Sequence, residues 1–176
     1  MINEAVKKNG ITYGIIFGII LALITATLYA VDLKLFVSGW IGATTFIISV
    51  VVGILLLVKT KKDTNDLLSF KDAFTAYFIT VLIAILISTS FSILLFNVID
   101  PEAKETINEY LIKYMAETLQ KFGTPASAVN EALAKMRENN PFSTLEQIKG
   151  FGFSLALYSI LGLILAAFFK SKTTQE

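Results

Sequence analysis

Long apolar stretches alternate with short charged segments along this chain. Four of the stretches contain no Asp, Glu, Lys or Arg, and each is bounded by charged residues. A hydrocarbon core of about 30 Å requires roughly 20 helical residues at about 1.5 Å each. The pattern therefore predicts four transmembrane helices, at residues 11–31, 36–58, 73–99 and 151–169.

One sizeable polar segment, residues 100–149, separates the third and fourth predicted spans. Asp100 followed by Pro101 is typical of a helix start, and Gly123 of a helix end. Thr124-Pro125 predicts a second start by the same logic, and Asn140-Pro141 a second end. The segment is therefore predicted to be a helical hairpin.

Capping signals also precede the third and fourth spans. Ser69 and Asp72, like Ser143 and Glu146, have the spacing of a capping box. The predicted fold is all-α: a four-transmembrane-helix bundle with an extracytoplasmic two-helix insert between helices 3 and 4. We divide the chain into a first hairpin with its cytoplasmic loop (1–72), the third span (73–99), the insert (100–149), and the fourth span with a cytoplasmic tail (150–176).

Lysines predict the orientation in the membrane. The short loop at residues 59–71 is rich in lysine, and Lys7 and Lys8 precede the first span. Positively charged short loops favour the cytoplasmic side. We therefore expect both termini to be cytoplasmic in a bacterial inner membrane, with the insert on the opposite side. Tyr29 and Trp40 flank the short connection between the first two spans, where amphipathic rings prefer the interface.

Small residues recur every four positions in two of the spans, which predicts close helix packing. The first span contains a Gly-x-x-x-Gly motif. Packing inside one bundle and homo-oligomerisation are both compatible with the pattern, and the former is favoured. The predicted packing residues are Gly14, Gly18 and Ala22 in the first span and Ala84, Ser88 and Ser92 in the third.

The first helix of the insert has an apolar stripe at helical spacing. Two short helices bury little apolar area alone, so we expect the stripe to pack within the insert, on the membrane or on a partner. The residues predicted to bind a partner are Ile107, Leu111, Tyr114, Leu119 and Phe122.

The amino-acid composition excludes several kinds of catalytic and metal-binding site. The chain is 55% hydrophobic and 16% charged and contains no cysteine and no histidine. The sequence therefore offers no thiolate, no Cys/His zinc site and no histidine-based triad. We expect no catalytic site, no cofactor and no nucleic-acid binding, since the lysines are few and mixed with acidic residues.

Several short motifs resemble those of the DUF4199 family of bacterial membrane proteins. They are Ser69-Phe70-Lys71-Asp72-Ala73-Phe74 at the entry to the third span, Gly123 at the turn of the insert, and Met136 followed by Asn140-Pro141. Genes of the family that the chain resembles are often found beside polyprenol-phosphate glycosyltransferase genes. The resemblance therefore implies an accessory role in envelope glycan synthesis, and it implies no functional residue.

These observations together predict a non-enzymatic membrane accessory or scaffold protein, with the lipid bilayer and a membrane protein or a second copy as partners. Two alternatives stay open. One is a small transporter or permeability factor, in which Ser88 and Ser92 line a polar path. The other is a homo-oligomeric structural membrane protein.

Overall fold

A computed structural model of the protein describes residues 3–171. Within that range the chain forms six α-helices and no strand. Four of the helices, α1, α2, α3 and α6, are long and apolar enough to cross a membrane. The helices are α1 (Glu4–Val31), α2 (Gly39–Asp63), α3 (Phe70–Leu94), α4 (Pro101–Lys121), α5 (Ala126–Glu138) and α6 (Thr144–Phe169).

Three predicted helix starts are confirmed. The Ser69 hydroxyl accepts a hydrogen bond from the Asp72 amide at 3.0 Å, and Asp100 accepts one from the Ala103 amide at 3.0 Å. Ser143 caps α6 in the same way. Each side chain satisfies an amide that has no partner within its helix.

Two predicted boundaries are wrong. Pro125 is itself the cap residue of α5, so Thr124 does not cap this helix. The second span begins at Gly39 instead of residue 36, because a 3₁₀ turn, Leu33–Val37, precedes it. Phe36 is apolar for a different reason: it packs against the aromatic rings of Phe96 and Phe142.

Helix α3 lies at the centre of the molecule. It packs most extensively on α1 and next on α6, and α2 contacts all three. The short connection does place α1 beside α2, but the main partner of α1 is α3. At its far end α3 widens into a π-helical turn, Leu95–Ile99, before α4 begins.

The helices define two ends of the bundle. At the terminal end, Asn9 donates a hydrogen bond to Asp63 at 3.0 Å, and the Ser171 amide donates one to the Leu68 carbonyl at 2.8 Å. At the insert end lie the 3₁₀ turn, the π-helical turn and α4. Both termini of the described chain therefore lie opposite the insert. Lys172 and Glu176, which we expect to be cytoplasmic, lie outside the described residues.

Candidate functional site

The small-residue stripes of α1 and α3 lie against each other. A Cβ added to Gly14 would lie 2.8 Å from the Ile83 Cβ, and one added to Gly18 would lie 3.2 Å from the Ala84 Cα. Gly10 continues the stripe towards the terminal end, where its carbonyl accepts a hydrogen bond from the Thr80 hydroxyl at 3.0 Å. At Gly14 and Gly18 a Cβ would therefore lie closer to α3 than ordinary van der Waals contact allows, which favours glycine at both positions. Ala22, Ser88 and Ser92, farther along, are only half-buried.

Tyr77 fills the space between α2, α3 and α6. Its ring leaves no room for a Cβ at Gly53 or Gly162, where an added atom would lie 2.8 Å and 2.5 Å from ring carbons. The ring is 1% exposed, and Leu56 and Leu57 beside it are fully buried. We call this densely packed part of the bundle the terminal half.

The rest of the bundle is much less closely packed. No residue of α2 before Ser49 is buried, and no residue of α6 before Gly162 is buried. Gly42 and Gly152 would accept a Cβ without any contact within 4 Å. Helices α2 and α6 therefore diverge from the α1/α3 pair towards the insert, and we call this part the insert half.

The divergence leaves a cavity of about 280 Å³ to which all four long helices contribute. Its lining contains no charged residue, but it includes several hydroxyl side chains. Ser88, which we predict to pack between helices, is one of them. The lining residues are Leu21, Ile24, Thr25, Leu28, Phe36, Ile41, Thr45, Ile85, Ser88, Thr89, Ser154 and Tyr158.

Aromatic rings close the cavity at the insert end. Phe96 is fully buried, and its ring centroid lies 5.5 Å from that of Phe36 and 5.1 Å from that of Phe142. Both pairs meet edge to face, the arrangement that aromatic quadrupoles favour. Phe36 also lines the cavity, so the same ring joins the bundle to the insert. We call these three residues the aromatic cluster.

Polar contacts also join the insert to the same end of the bundle. The Tyr29 hydroxyl donates a hydrogen bond to Asp100 at 2.8 Å, and the Asn97 side chain donates one to the Phe142 carbonyl at 3.0 Å. The Ala103 amide and then the Tyr29 hydroxyl hold the pKa of the Asp100 carboxyl below its usual value. The insert is therefore attached by specific side-chain contacts as well as by the chain itself.

Burial divides the predicted partner-binding stripe of α4. Ile107 is fully buried on the side of α4 that faces the bundle. Leu111, one turn later, packs against the apolar cluster that contains Ile107 and Phe96. Both residues help to fasten the insert to the bundle, and Ile107 has no surface left for a partner. Leu119 is half-buried, whereas Tyr114 is 48% exposed and Phe122 is 83% exposed. Only the distal part of the stripe is accessible.

A groove of about 590 Å³ runs between α4 and α5. Acidic and basic side chains both line it, among them Glu109, Lys113 and Arg137. Asn108 beneath them is buried, and its Oδ1 has no hydrogen-bond partner among the described residues. Residues 3–171 contain no carboxylate cluster that would hold a metal ion.

Sequence reasoning missed the cavity and the aromatic cluster. Gly53 and Gly162 carried only a partial signal, because a glycine within an apolar helix permits a close approach but does not require one. Gly42 and Gly152 occur in the same two helices and have no such contact. Thr45, Ser154 and Tyr158 carried none, since single hydroxyl residues in separate helices do not reveal that they share a cavity.

Comparison with known proteins identifies the family. No curated protein and no solved structure matches the chain. A family model described as "Protein of unknown function (DUF4199)" matches residues 12–171. That range includes most of α1, the whole of α2 to α6 and therefore the entire insert, so the chain belongs to the DUF4199 family.

Proposed function

We propose that the protein is a non-enzymatic accessory protein of the bacterial inner membrane, which uses its insert to hold a second membrane protein. The observation that carries the proposal is the exposed phenylalanine at the tip of a rigidly attached insert. Phe122 is 83% exposed, although water disfavours such a side chain by about 25 cal/mol for each Å² of apolar surface.

The insert is built to present that tip. The first turns of α4 are fastened to the bundle through Ile107, Leu111 and the Tyr29–Asp100 hydrogen bond. The distal part of α4 packs on α5, which packs chiefly on α4. Gly123, at φ +70°, makes the turn that leaves Phe122 exposed. A fixed base and an apolar tip suit recognition of a partner.

The orientation is part of the proposal. The lysine-rich loop and both ends of the described chain lie at the terminal end, which supports a cytoplasmic placement for that end. The insert then faces the other side of the membrane. A partner that works on envelope glycans there agrees with the role that the family resemblance implies.

The packing favours an accessory role over a transporter. A permeability path would have to continue through the terminal half. Tyr77, Leu56, Leu57 and Ala166 fill that half, and each is at most 1% exposed. The glycine stripe likewise lies inside the bundle, against α3, and so is not free for homo-oligomerisation.

Site-specific cross-linking tests the proposal. A photoreactive phenylalanine analogue at position 122 should give one discrete adduct in native membranes, and mass spectrometry should identify the partner. Phe122→Ser should then reduce co-purification of that partner at least fivefold. Leu67→Ser is the matched control, since Leu67 is 78% exposed at the terminal end. Equal recovery from the two variants, or a self-adduct alone, would contradict the proposal.

A further inference from the structure

We propose that the cavity of the insert half binds an uncharged lipid that carries a free hydroxyl group and ester carbonyls, such as a diacylglycerol. The site is separate from the partner surface on the insert. The lipid's polar region would lie among the hydroxyl side chains, and its hydrocarbon chains would extend sideways into the bilayer.

The hydroxyl side chains in the cavity lining are the first argument. Within membranes, Ser and Thr hydroxyls usually bond to a carbonyl of the preceding turn. Thr25 does so at 3.1 Å and Ser159 at 2.7 Å. Thr45, Ser88, Thr89 and Ser154 line the cavity from three helices, and each is half-buried. Hydroxyl groups in such a position can form hydrogen bonds with an occupant, and in a hydrocarbon environment they favour one that has polar groups.

The closed ends of the cavity identify the side from which an occupant enters. The aromatic cluster closes the insert end and Tyr77 fills the terminal half. Between them α2 and α6 diverge, so the open sides of the cavity face the bilayer. Phe46 and Ile47 of α2 and Phe153 and Leu157 of α6 are all more than half exposed. A molecule that enters from the bilayer is therefore a lipid.

The absence of charge in the lining selects among lipids. A phosphate or ammonium head group would lose its hydration in this cavity and find no counter-charge. A bare hydrocarbon chain would offer these hydroxyls no hydrogen-bond partner. A free hydroxyl group and ester carbonyls supply both a donor and acceptors, which match hydroxyl side chains on α2, α3 and α6.

The cavity volume is large enough to enclose part of such a lipid. A cavity of about 280 Å³ holds a group the size of about nine water molecules at roughly 30 Å³ each. That is enough for a glycerol unit and the first part of its esters, but not for whole acyl chains. The chains would occupy the lateral openings, where lipid already lies against α2 and α6.

Photolabelling in nanodiscs tests the proposal. A diacylglycerol with a photoreactive group close to its ester should label residues that line the cavity, with Thr45 and Ser154 among the labelled sites. Excess unlabelled diacylglycerol should compete at least fivefold better than the same amount of phosphatidylcholine. Ser154→Phe, which fills the cavity, should reduce labelling at least fivefold. Ala156→Phe, at an exposed position on the same helix, should not.

A milder variant keeps the test decisive if Ser154→Phe does not fold. Ser88→Ala combined with Thr89→Val removes two hydroxyl groups with little change in volume, and it should reduce diacylglycerol labelling at least threefold. Labelling by a photoreactive alkane of matched length should be unchanged. Equal competition by phosphatidylcholine, or labelling that no cavity variant alters, would show that water or bulk lipid fills the space and would overturn the proposal.

Discussion

The two halves of the helical bundle are made of equally apolar helices and are packed very differently. In the terminal half, glycines allow backbones to approach and Tyr77 fills the remaining space. In the insert half, the same helices diverge around a hydroxyl-lined cavity, and contact resumes only at the aromatic cluster. Because lipid provides no hydrophobic force between helices, shape complementarity decides where they close. The dense half therefore contains most of the close helix packing, and the lipid that we propose would occupy the open half.

The largest expected loss of stability comes from overpacking the terminal half. A Cβ at Gly162 would lie 2.5 Å from a ring carbon of Tyr77, and the ring has no room to move. Gly162→Ile should therefore exceed the destabilisation of about 1–3 kcal/mol that is typical of overpacking, and should abolish a monodisperse peak in size-exclusion chromatography. Gly152→Ile, on the same helix in open space, should elute like the wild type. Similar behaviour of the two variants would mean that the halves do not differ.

The next largest loss of stability should be confined to the insert end of the bundle. Phe96→Ala removes the central ring of the aromatic cluster, and loss of a fully buried phenylalanine costs about 3–5 kcal/mol. We expect α4 and α5 to detach while the terminal half stays assembled. Hydrogen exchange should rise in α4 and α5 and stay unchanged in α1 and α3. Phe168→Ala, at a 79% exposed position, is the control. A uniform rise in exchange would show that the two ends unfold together.

Acidic pH should loosen the same attachment. Because the pKa of Asp100 is lowered in the folded protein, its contribution to stability is present above the usual value of about 4 and is lost as pH falls through the lowered value. Exchange of the first amides of α4 should therefore increase at the acidic end of a titration. Tyr29→Phe should move this increase to higher pH, since it removes one cause of the lowered pKa. Asp100→Asn should remove the pH dependence, and its persistence would assign the effect to another group.

The smallest effect should come from a single hydrogen bond between α1 and α3. Thr80→Val removes the bond to the Gly10 carbonyl and keeps the shape of the side chain. Bonds of this kind between membrane helices average about 0.6 kcal/mol, so the midpoint of thermal unfolding in detergent should fall only slightly. A loss as large as that of Phe96→Ala would mean that hydrogen bonding, rather than close packing, holds the terminal half.

Local features of the fold were readable from the sequence, whereas the relations between helices were not. The four spans follow from their apolar length, and Ser69, Asp100 and Ser143 were recognisable caps because capping depends on residues three positions apart. The pairing of α1 with α3 was hidden, since either stripe of small residues would also suit a second copy. Ile107 illustrates the limit at the site: helical spacing shows that it faces one side with Leu111, but not that the bundle covers that side.

The link between Leu68 and Ser171 has a consequence for biosynthesis. The Leu68 amide donates to the Ser171 hydroxyl at 2.9 Å, across 103 residues of sequence. Helices α1, α2 and α3 leave the ribosome well before α6, so Gly53 and Tyr77 must wait in the membrane without the helix that completes their packing. Until α6 arrives, lipid or an insertion factor has to cover that face. The packing of the terminal half is therefore completed only once the fourth long helix has been synthesised.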